Sequence, residues 1–322
     1  MRLLFSLLAS ICIILASTSS KAFTFEGPLQ IRNSYPIFIH ANQPYLERAA
    51  MENSMSFSLS HSSTYTVDES DNWIINLDME ITEFTFRYKR ILRELVELDV
   101  DIPVLVIGGG FMDGFLEDYH DTFGFSDYGR SERPHNELLY EVREDGDLIV
   151  DGKSGVRLGD IRISVKKPLM SSDKYHFSIK GDVEIPISNA EEGFSNGSLD
   201  AGIALLFDAA ITDRIMTYWN IGAVFPGDLK GHKDLDLENF IYGGVVLEAK
   251  ISGNFSLLAQ LMGQSDIYPQ TDISAVDDDA YMLAIGGRFT SKNRSFDLSL
   301  TEDINTAGAP DFIINMTYKV RL

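Results

Sequence analysis

Beyond residue 50, apolar and polar residues alternate with a period of two, in runs of about ten residues. Between 174 and 187, for example, Phe177 and Ile179 occupy odd positions and Ser178 and Lys180 occupy even ones. This is the pattern of a β-strand with one apolar and one polar face. It predicts twelve strands, at 53–65, 73–89, 95–106, 156–170, 174–187, 197–211, 214–226, 239–251, 254–267, 280–290, 294–304 and 312–322.

The connections between these strands alternate in length. Short turns fall near Arg90 and at 172–173, 212–213, 252–254 and 291–293, and longer polar connections fall at 66–72, 107–155, 188–196, 227–238, 268–279 and 305–311. Outer-membrane barrels have this asymmetry, with short periplasmic turns and long extracellular loops. Because lipid offers no partner to an unpaired strand edge, a spanning sheet must close on itself. The sequence therefore predicts an all-β fold, a transmembrane antiparallel β-barrel of about twelve strands.

Two irregularities leave a count of ten to fourteen strands open. The apolar positions change from odd to even within 73–89 and from even to odd within 156–170. Either a β-bulge or a division into two shorter strands accounts for each change. A secreted, soluble β-sandwich also alternates. The run lengths, the loop asymmetry and the aromatic residues near strand ends, such as Trp73, Tyr88 and Trp219, favour the membrane barrel.

The first 22 residues are predicted to be a cleaved signal peptide. Arg2 precedes an apolar stretch, and Ser20 and Ala22 supply a cleavage site of small residues. No later segment has the 18 or more uninterrupted apolar residues of a spanning helix. Residues 23–50 do not alternate, so we expect them outside the barrel wall, either as a plug in the pore or as a periplasmic lead-in. The lead-in is the favoured interpretation.

The charge balance excludes nucleic acid as a partner. The chain has 27 Lys and Arg against 48 Asp and Glu, a net charge of -21, whereas nucleic-acid binding needs a positive face. The acidic loops carry oxygen ligands of the kind that Ca²⁺ prefers, but no run matches a calcium-binding loop of about twelve residues. We therefore predict a solvated acidic surface, with no metal site and no cofactor.

Three stretches resemble a known family. They are 27–36, 77–80 and above all 108–121, which reads GGGFMDGFLEDYHD. On these residues the chain resembles the bacterial domain-of-unknown-function family 3187. The resemblance implies an exported protein that forms an outer-membrane barrel, and it implies no activity and no ligand.

The strand faces opposite the apolar stripe are predicted to line the lumen, and they carry charges of both signs. One interpretation is a polar pore, or a solute site between an acidic and a basic wall. The alternative is a lumen filled by its own ion pairs, as in narrow barrels. The predicted lumen-lining residues are Asp78, Glu80, Glu97, Asp99, Asp101, Arg162, Lys166, Lys180, Arg288, Lys319 and Arg321.

The long connection at 107–155 opens with three glycines and then places four aromatic residues at four-residue spacing. This spacing predicts a short helix with the aromatic residues on one side, followed by a hairpin at 137–151. The helix either folds inward as a constriction, caps the mouth or packs on its own loop. The aromatic residues of the predicted constriction are Phe111, Phe115, Tyr119 and Phe123.

A lipid hydrolase is a further hypothesis, because some outer-membrane barrels place a His and a Ser on one strand face. His61 and Ser63 share the apolar parity of the first strand at its outer end, where the imidazole would act as the base for the hydroxyl. No orienting third group is recognisable in the sequence. We therefore expect no enzymatic activity and keep the hydrolase as an alternative.

Together these observations predict an outer-membrane protein of a Gram-negative bacterium that acts as a channel or binder for a small solute. A structural envelope barrel with a filled lumen is the alternative from another functional class. The expected partners are outer-membrane lipid and lipopolysaccharide, the solute, and the barrel-assembly machinery. The apolar last strand resembles the signal for that machinery, although Leu322 stands where an aromatic residue is usual.

Overall fold

The computed structural model of the chain describes residues 25–39, 41–124, 129–305 and 307–322. The predicted signal peptide at 1–22 lies outside the described residues. The strands are β1 (Ser54–Glu69), β2 (Trp73–Leu92), β3 (Val96–Gly108), β4 (Leu139–Glu144), β5 (Asp147–Asp151), β6 (Gly155–Leu158), β7 (Ile161–Ser171), β8 (Tyr175–Ile185), β9 (Asp200–Thr212), β10 (Ile215–Phe225), β11 (Leu229–Lys230), β12 (Asp234–Leu235), β13 (Phe240–Lys250), β14 (Phe255–Gln264), β15 (Ala280–Ser291), β16 (Arg294–Asp303) and β17 (Phe312–Arg321). The helices are α1 (Pro36–Ile39), α2 (Asp113–Phe123) and α3 (Ser274–Asp277), with one 3₁₀ turn, Arg130–Glu132.

Twelve of these strands form the barrel, and the predicted fold class is confirmed. The strands pair antiparallel in the order β1, β2, β3, β7, β8, β9, β10, β13, β14, β15, β16 and β17. Pairing of β17 with β1 closes the sheet, so that the barrel has no free edge. One end of the barrel carries the short turns and is called the turn end. The other, called the loop end, carries the long connections.

The accessory strands extend the wall at the loop end. A hairpin of β4 and β5 turns at Asp145 and Gly146, both of which have positive φ as a tight hairpin turn requires. Its first strand pairs with the outer part of β2, and β6 pairs with β3. The connection between β1 and β2 spans only 70–72, because β1 continues to Glu69, beyond the end at 65 that the sequence indicated, whereas β2 begins at Trp73 as predicted.

The two irregularities have different explanations. The stretch 156–170 divides into β6 and β7, which both pair with β3. The expected bulge in 73–89 is absent, because β2 pairs with β1 in one continuous register. Leu77, Met79 and Ile81 therefore face the interior together with the polar odd residues that follow them along β2. The inner face of this strand simply changes from apolar at the loop end to charged towards the turn end.

The two faces of the wall differ in character. Large apolar side chains are exposed on the outside, among them Phe57, Phe84, Ile221 and Phe289, as a bilayer requires. Within the described part of the chain, none of the helices is long and apolar enough to cross a membrane. The largest apolar core lies inside the barrel and includes residues of the wall, the loops and the N-terminal segment.

Candidate functional site

Residues 25–39 and 41–53 of the N-terminal segment lie inside the barrel and fill its lumen. Leu29, Tyr35, Asn42, Glu47 and Ala49 are all buried, and each region of the segment contacts a different part of the wall. This differs from the periplasmic lead-in that the sequence favoured. A barrel of twelve strands has room for this segment, since barrels of about eight strands are filled by side chains and those of about sixteen leave an aqueous channel.

Wall side chains accept the hydrogen bonds of the segment's backbone. An extended chain without a ladder partner must satisfy its amides elsewhere when it is buried. The amide of Glu47 donates to Oδ1 of Asn220 at 2.7 Å, and the amide of Ala49 donates to Oδ1 of Asp208 at 2.7 Å. Further wall acceptors of segment amides are Glu248, Tyr218, Gln260, Asp200 and Glu97.

Glycines on the inner face leave space for the segment. A Cβ on Gly244 would lie 2.4 Å from Cδ1 of Leu46, and one on Gly202 would lie 3.2 Å from Nδ2 of Asn42. Both distances are shorter than ordinary van der Waals contact. The wall is therefore shaped around this segment, and larger residues at these positions would conflict with it.

Glu47 is the electrostatic centre of the lumen. Its carboxylate lies 2.7 Å from a guanidinium nitrogen of Arg87, 2.7 Å from Nζ of Lys89 and 2.6 Å from Nζ of Lys180. Burial by itself would raise the pKa of Glu47, but Arg87, Lys180 and Lys89 outweigh it and hold that pKa well below its usual range. The carboxylate is consequently ionised and joins β2 to β8, two strands that β3 and β7 separate in the barrel wall.

Tyr45 packs against two guanidinium groups of the wall. The Cζ atom of Arg87 is 4.9 Å from the centroid of its ring, and that of Arg162 is 4.8 Å away. Cation–π contacts of this kind are attractive and gain strength when they are desolvated. Arg87 thus contacts the aromatic ring of Tyr45 and the carboxylate of Glu47 at the same time.

Carboxylates of the wall balance these cations. Arg87 and Arg162 both contact Asp101, and Arg87 also pairs with Asp99. Lys166 lies 2.8 Å from Glu97. Buried charges that are paired and hydrogen-bonded in this way hold one another ionised, and removal of one partner is costly.

A second group of ions lies nearer to the start of the segment. Arg288 is bidentate to Asp297, with distances of 2.8 and 2.7 Å, and donates to the carbonyl of Gly27 at 2.7 Å. Lys319 and Arg321 reach Glu26 of the segment. These contacts hold the beginning of the segment against β15 and β17.

The structure places nine of the predicted lumen-lining residues together around the segment and two elsewhere. The nine that face the interior are Glu97, Asp99, Asp101, Arg162, Lys166, Lys180, Arg288, Lys319 and Arg321. Asp78 and Glu80 face the outside, which corrects the prediction. Because β2 keeps one register along its length, its even-numbered residues all lie on the same face as the exposed Phe84. On the outside, Asp78 pairs with Arg133 at 2.8 Å.

The helix α2 packs on the outside of the wall, not in the lumen. Met112 and Leu116 are buried against Phe312 and Ile314, which lie on the outer face of β17. Phe111 and Phe115 are exposed, so neither constricts the pore as one prediction had it. The side chains of Tyr119 and Phe123 lie outside the described part of the structure.

Glu80 anchors the start of α2. Its Oε1 accepts the amide of Phe111 at 2.7 Å and also that of Met112. Gly110 has a φ of +73°, and a Cβ there would overlap the Glu80 carboxylate. This position therefore requires glycine.

His61 and Ser63 are not arranged as a base and a nucleophile. Nδ1 of His61 is 2.7 Å from Oγ1 of Thr82, and Nε2 is 2.8 Å from Oε2 of Glu80. Arg130 donates to Oγ of Ser63 at 3.3 Å. Because both ring nitrogens are directed to other groups, the predicted pair does not form.

The lumen-lining residues predicted from the sequence did not include Tyr45, Glu47, Arg87 and Lys89. Arg87 and Lys89 alternate with Phe86 and Tyr88, so a reading of β2 without a bulge would have placed both in the lumen. No pattern in the sequence singles out Glu47, because its cations come from strands distant along the chain.

The family model described as "Protein of unknown function (DUF3187)" matches residues 4–322. The chain belongs to the DUF3187 family. No curated protein matches this DUF3187 sequence significantly. Among solved structures, it is similar to the COG4313 outer membrane channel from Pseudomonas putida F1, with a TM-score of 0.56 and 10% identity over 88% of this chain and 98% of that chain. It is also similar to the porin NanC, with a TM-score of 0.48 and 7% identity over 83% of this chain and 98% of that chain. The first of these similarities establishes a common outer-membrane barrel fold.

Proposed function

We propose that this protein is an outer-membrane channel for a small solute and that residues 25–53 are its plug. The observation that carries the proposal is how the segment is held. The described contacts of residues 25–39 and 41–52 with the wall are hydrogen bonds that involve side chains, ion pairs and apolar packing, and these residues form no β-ladder with the barrel. A segment bound in this way can leave without opening the sheet, and its departure would uncover a polar inner wall.

The cellular setting belongs to the same proposal. The apolar outer face fits lipid and lipopolysaccharide of a Gram-negative outer membrane, and the predicted signal peptide at 1–22 fits export. The barrel-assembly machinery would insert the protein. The similarity to the COG4313 outer membrane channel supports a channel function, although at 10% identity it supports the fold first.

A structural envelope protein is the second candidate, favoured by the filled lumen and by the apolar core at the loop end. Trp73 and Tyr268 pack there with ring centroids 6.1 Å apart. No enzymatic activity is proposed, because His61 is directed away from Ser63.

A disulfide that can be formed and reduced between the plug and the wall distinguishes a channel from a structural envelope protein. Oγ of Ser178 lies 2.7 Å from the carbonyl oxygen of Ala49, so positions 49 and 178 are neighbours across the contact between plug and wall. The double variant Ala49→Cys, Ser178→Cys puts one thiol on each side of it, and formation of the disulfide is verified before current is recorded. We expect stepwise current in planar bilayers from the reduced double variant and none after oxidation. Current that is unchanged by oxidation would refute the plug, and absence of current in both states, and in the wild type, would favour the structural role.

A further inference from the structure

Glu47 occupies a site that is built for a carboxylate. Three cations from two strands, Arg87, Lys89 and Lys180, converge on it at 2.6 to 2.7 Å. All three are buried. Charge-assisted hydrogen bonds of this length are among the strong ones in proteins.

In the ion-pair network that surrounds Glu47, the wall residues leave one cation in excess when Glu47 itself is not counted. The connected wall cations are Arg87, Lys89, Arg162, Lys166 and Lys180, and the connected wall carboxylates are Glu97, Asp99, Asp101 and Asp182. Five cations against four carboxylates leave a site for one negative charge, which Glu47 fills. Glu83 does not change this balance, because it has its own partner, Arg32, at 2.6 Å.

An aromatic site adjoins the carboxylate site. The ring centroid of Tyr45 lies 4.9 Å from Cζ of Arg87 and 4.8 Å from Cζ of Arg162. Arg87 belongs to both sites, so a single molecule that carries a flat ring and a carboxylate could contact it in both ways. Planar guanidinium groups stack on aromatic rings and bind carboxylates at the same time.

We propose that the solute of this channel is a small aromatic carboxylate, which competes with Tyr45 and Glu47 for the cation site and thereby displaces residues 41–50 from the wall. The proposal rests on the channel function proposed above. The plug then acts as an intramolecular mimic of the solute. Solute binding weakens the contacts that keep the lumen closed, so the solute itself promotes opening.

Hydrogen exchange of residues 41–50 in the full-length protein in detergent tests the competition. Benzoate is the probe, acetate lacks the ring and benzamide lacks the charge. We expect benzoate to accelerate exchange, acetate to need at least about tenfold more ligand for the same effect, and benzamide to have no effect. The variant Glu47→Gln should lower the benzoate concentration needed by about tenfold or more, because the internal competitor has lost its charge.

Wall variants locate the site. In the Glu47→Gln background, where the internal competitor has lost its charge, Lys180→Met should raise the benzoate concentration needed. Lys167→Met removes the same charge from an exposed side chain of β7 and should leave that concentration unchanged. Equal responses to benzoate and benzamide, or equal effects of the two lysine variants, would overturn the proposal.

Conductance separates this inference from the channel function. In the Glu47→Gln variant, benzoate should reduce the current of another salt and benzamide should not. A channel that conducts but shows no preference for benzoate retains the proposed function and refutes the carboxylate site. A protein that binds benzoate competitively but never conducts retains the site and refutes the channel.

Discussion

Oε1 of Glu47 lies 2.6 Å from Nζ of Lys180, a residue 133 positions later in the sequence. The pair connects the plug to β8 inside the barrel. Loss of one partner of a buried ion pair leaves the other charged and unpaired, which costs about 3–5 kcal/mol. The stability of the plug therefore depends strongly on this carboxylate.

Neutralisation of Glu47 should release the plug. We expect Glu47→Gln to weaken docking by about 3–5 kcal/mol and to increase hydrogen exchange in residues 41–50, with more frequent current steps in bilayers. Glu94→Gln, at an exposed position in the turn between β2 and β3, removes the same charge and should behave as the wild type. Unchanged exchange in Glu47→Gln would show that Glu47 does not hold the plug.

Acid should open the channel only well below the ordinary pKa of a glutamate, about 4.3. The pKa of Glu47 is lowered in the docked state: burial opposes the shift, and Arg87, Lys180 and Lys89 outweigh it. A lowered pKa means that docking is fully stabilised above the ordinary value and loses this stabilisation as the pH falls through the docked value. Bilayer current recorded from pH 7 to pH 3 measures the transition, and Glu47→Gln should lack much of it. A transition near pH 6 would argue for other groups.

A larger side chain at Gly202 should displace the middle of the plug. A Cβ there would lie 2.6 Å from Oδ2 of Asp182 and 3.2 Å from Nδ2 of Asn42. Nδ2 of Asn42 donates a hydrogen bond to Oδ2 of Asp182, and the side chain of Gly202→Val would crowd both groups. We expect faster proteolysis of the plug in the folded barrel. Gly181→Val on the neighbouring strand is the control, because a Cβ at Gly181 meets only one atom, at 3.9 Å. Equal proteolysis of the two variants would contradict the fit between plug and wall.

Loss of packing beneath α2 should detach the helix from the outer wall. Leu116 is buried against Phe312 and Ile314, and truncation of a buried leucine costs about 2–5 kcal/mol. Leu116→Ala should therefore increase hydrogen exchange in α2, whereas Asp121→Ala, at an exposed position of the same helix, should not. Since α2 lies outside the lumen, bilayer current should not change. A change in current would indicate that the helix communicates with the pore.

Local sequence patterns were sufficient to predict the barrel wall of this protein. Apolar and polar residues alternate because one face of each strand contacts lipid and the other faces the interior. The polarity of each residue indicates its face without reference to residues elsewhere in the chain. The twelve strands, their antiparallel order and nine of the inward-facing charges follow from it. The helix after Gly110 and the hairpin at Asp145 and Gly146 follow from equally local signals.

The contents of the lumen were decided by tertiary structure alone. The acceptors for the amides of the plug and the cations around Glu47 are single residues on strands far apart in the sequence, and they meet only when the sheet closes. The outward position of Glu80 follows from the register of β1 with β2, because a shift of one residue exchanges the two faces of a strand. The sequence by itself determined that this chain forms a barrel, and closure of that barrel determined what fills it.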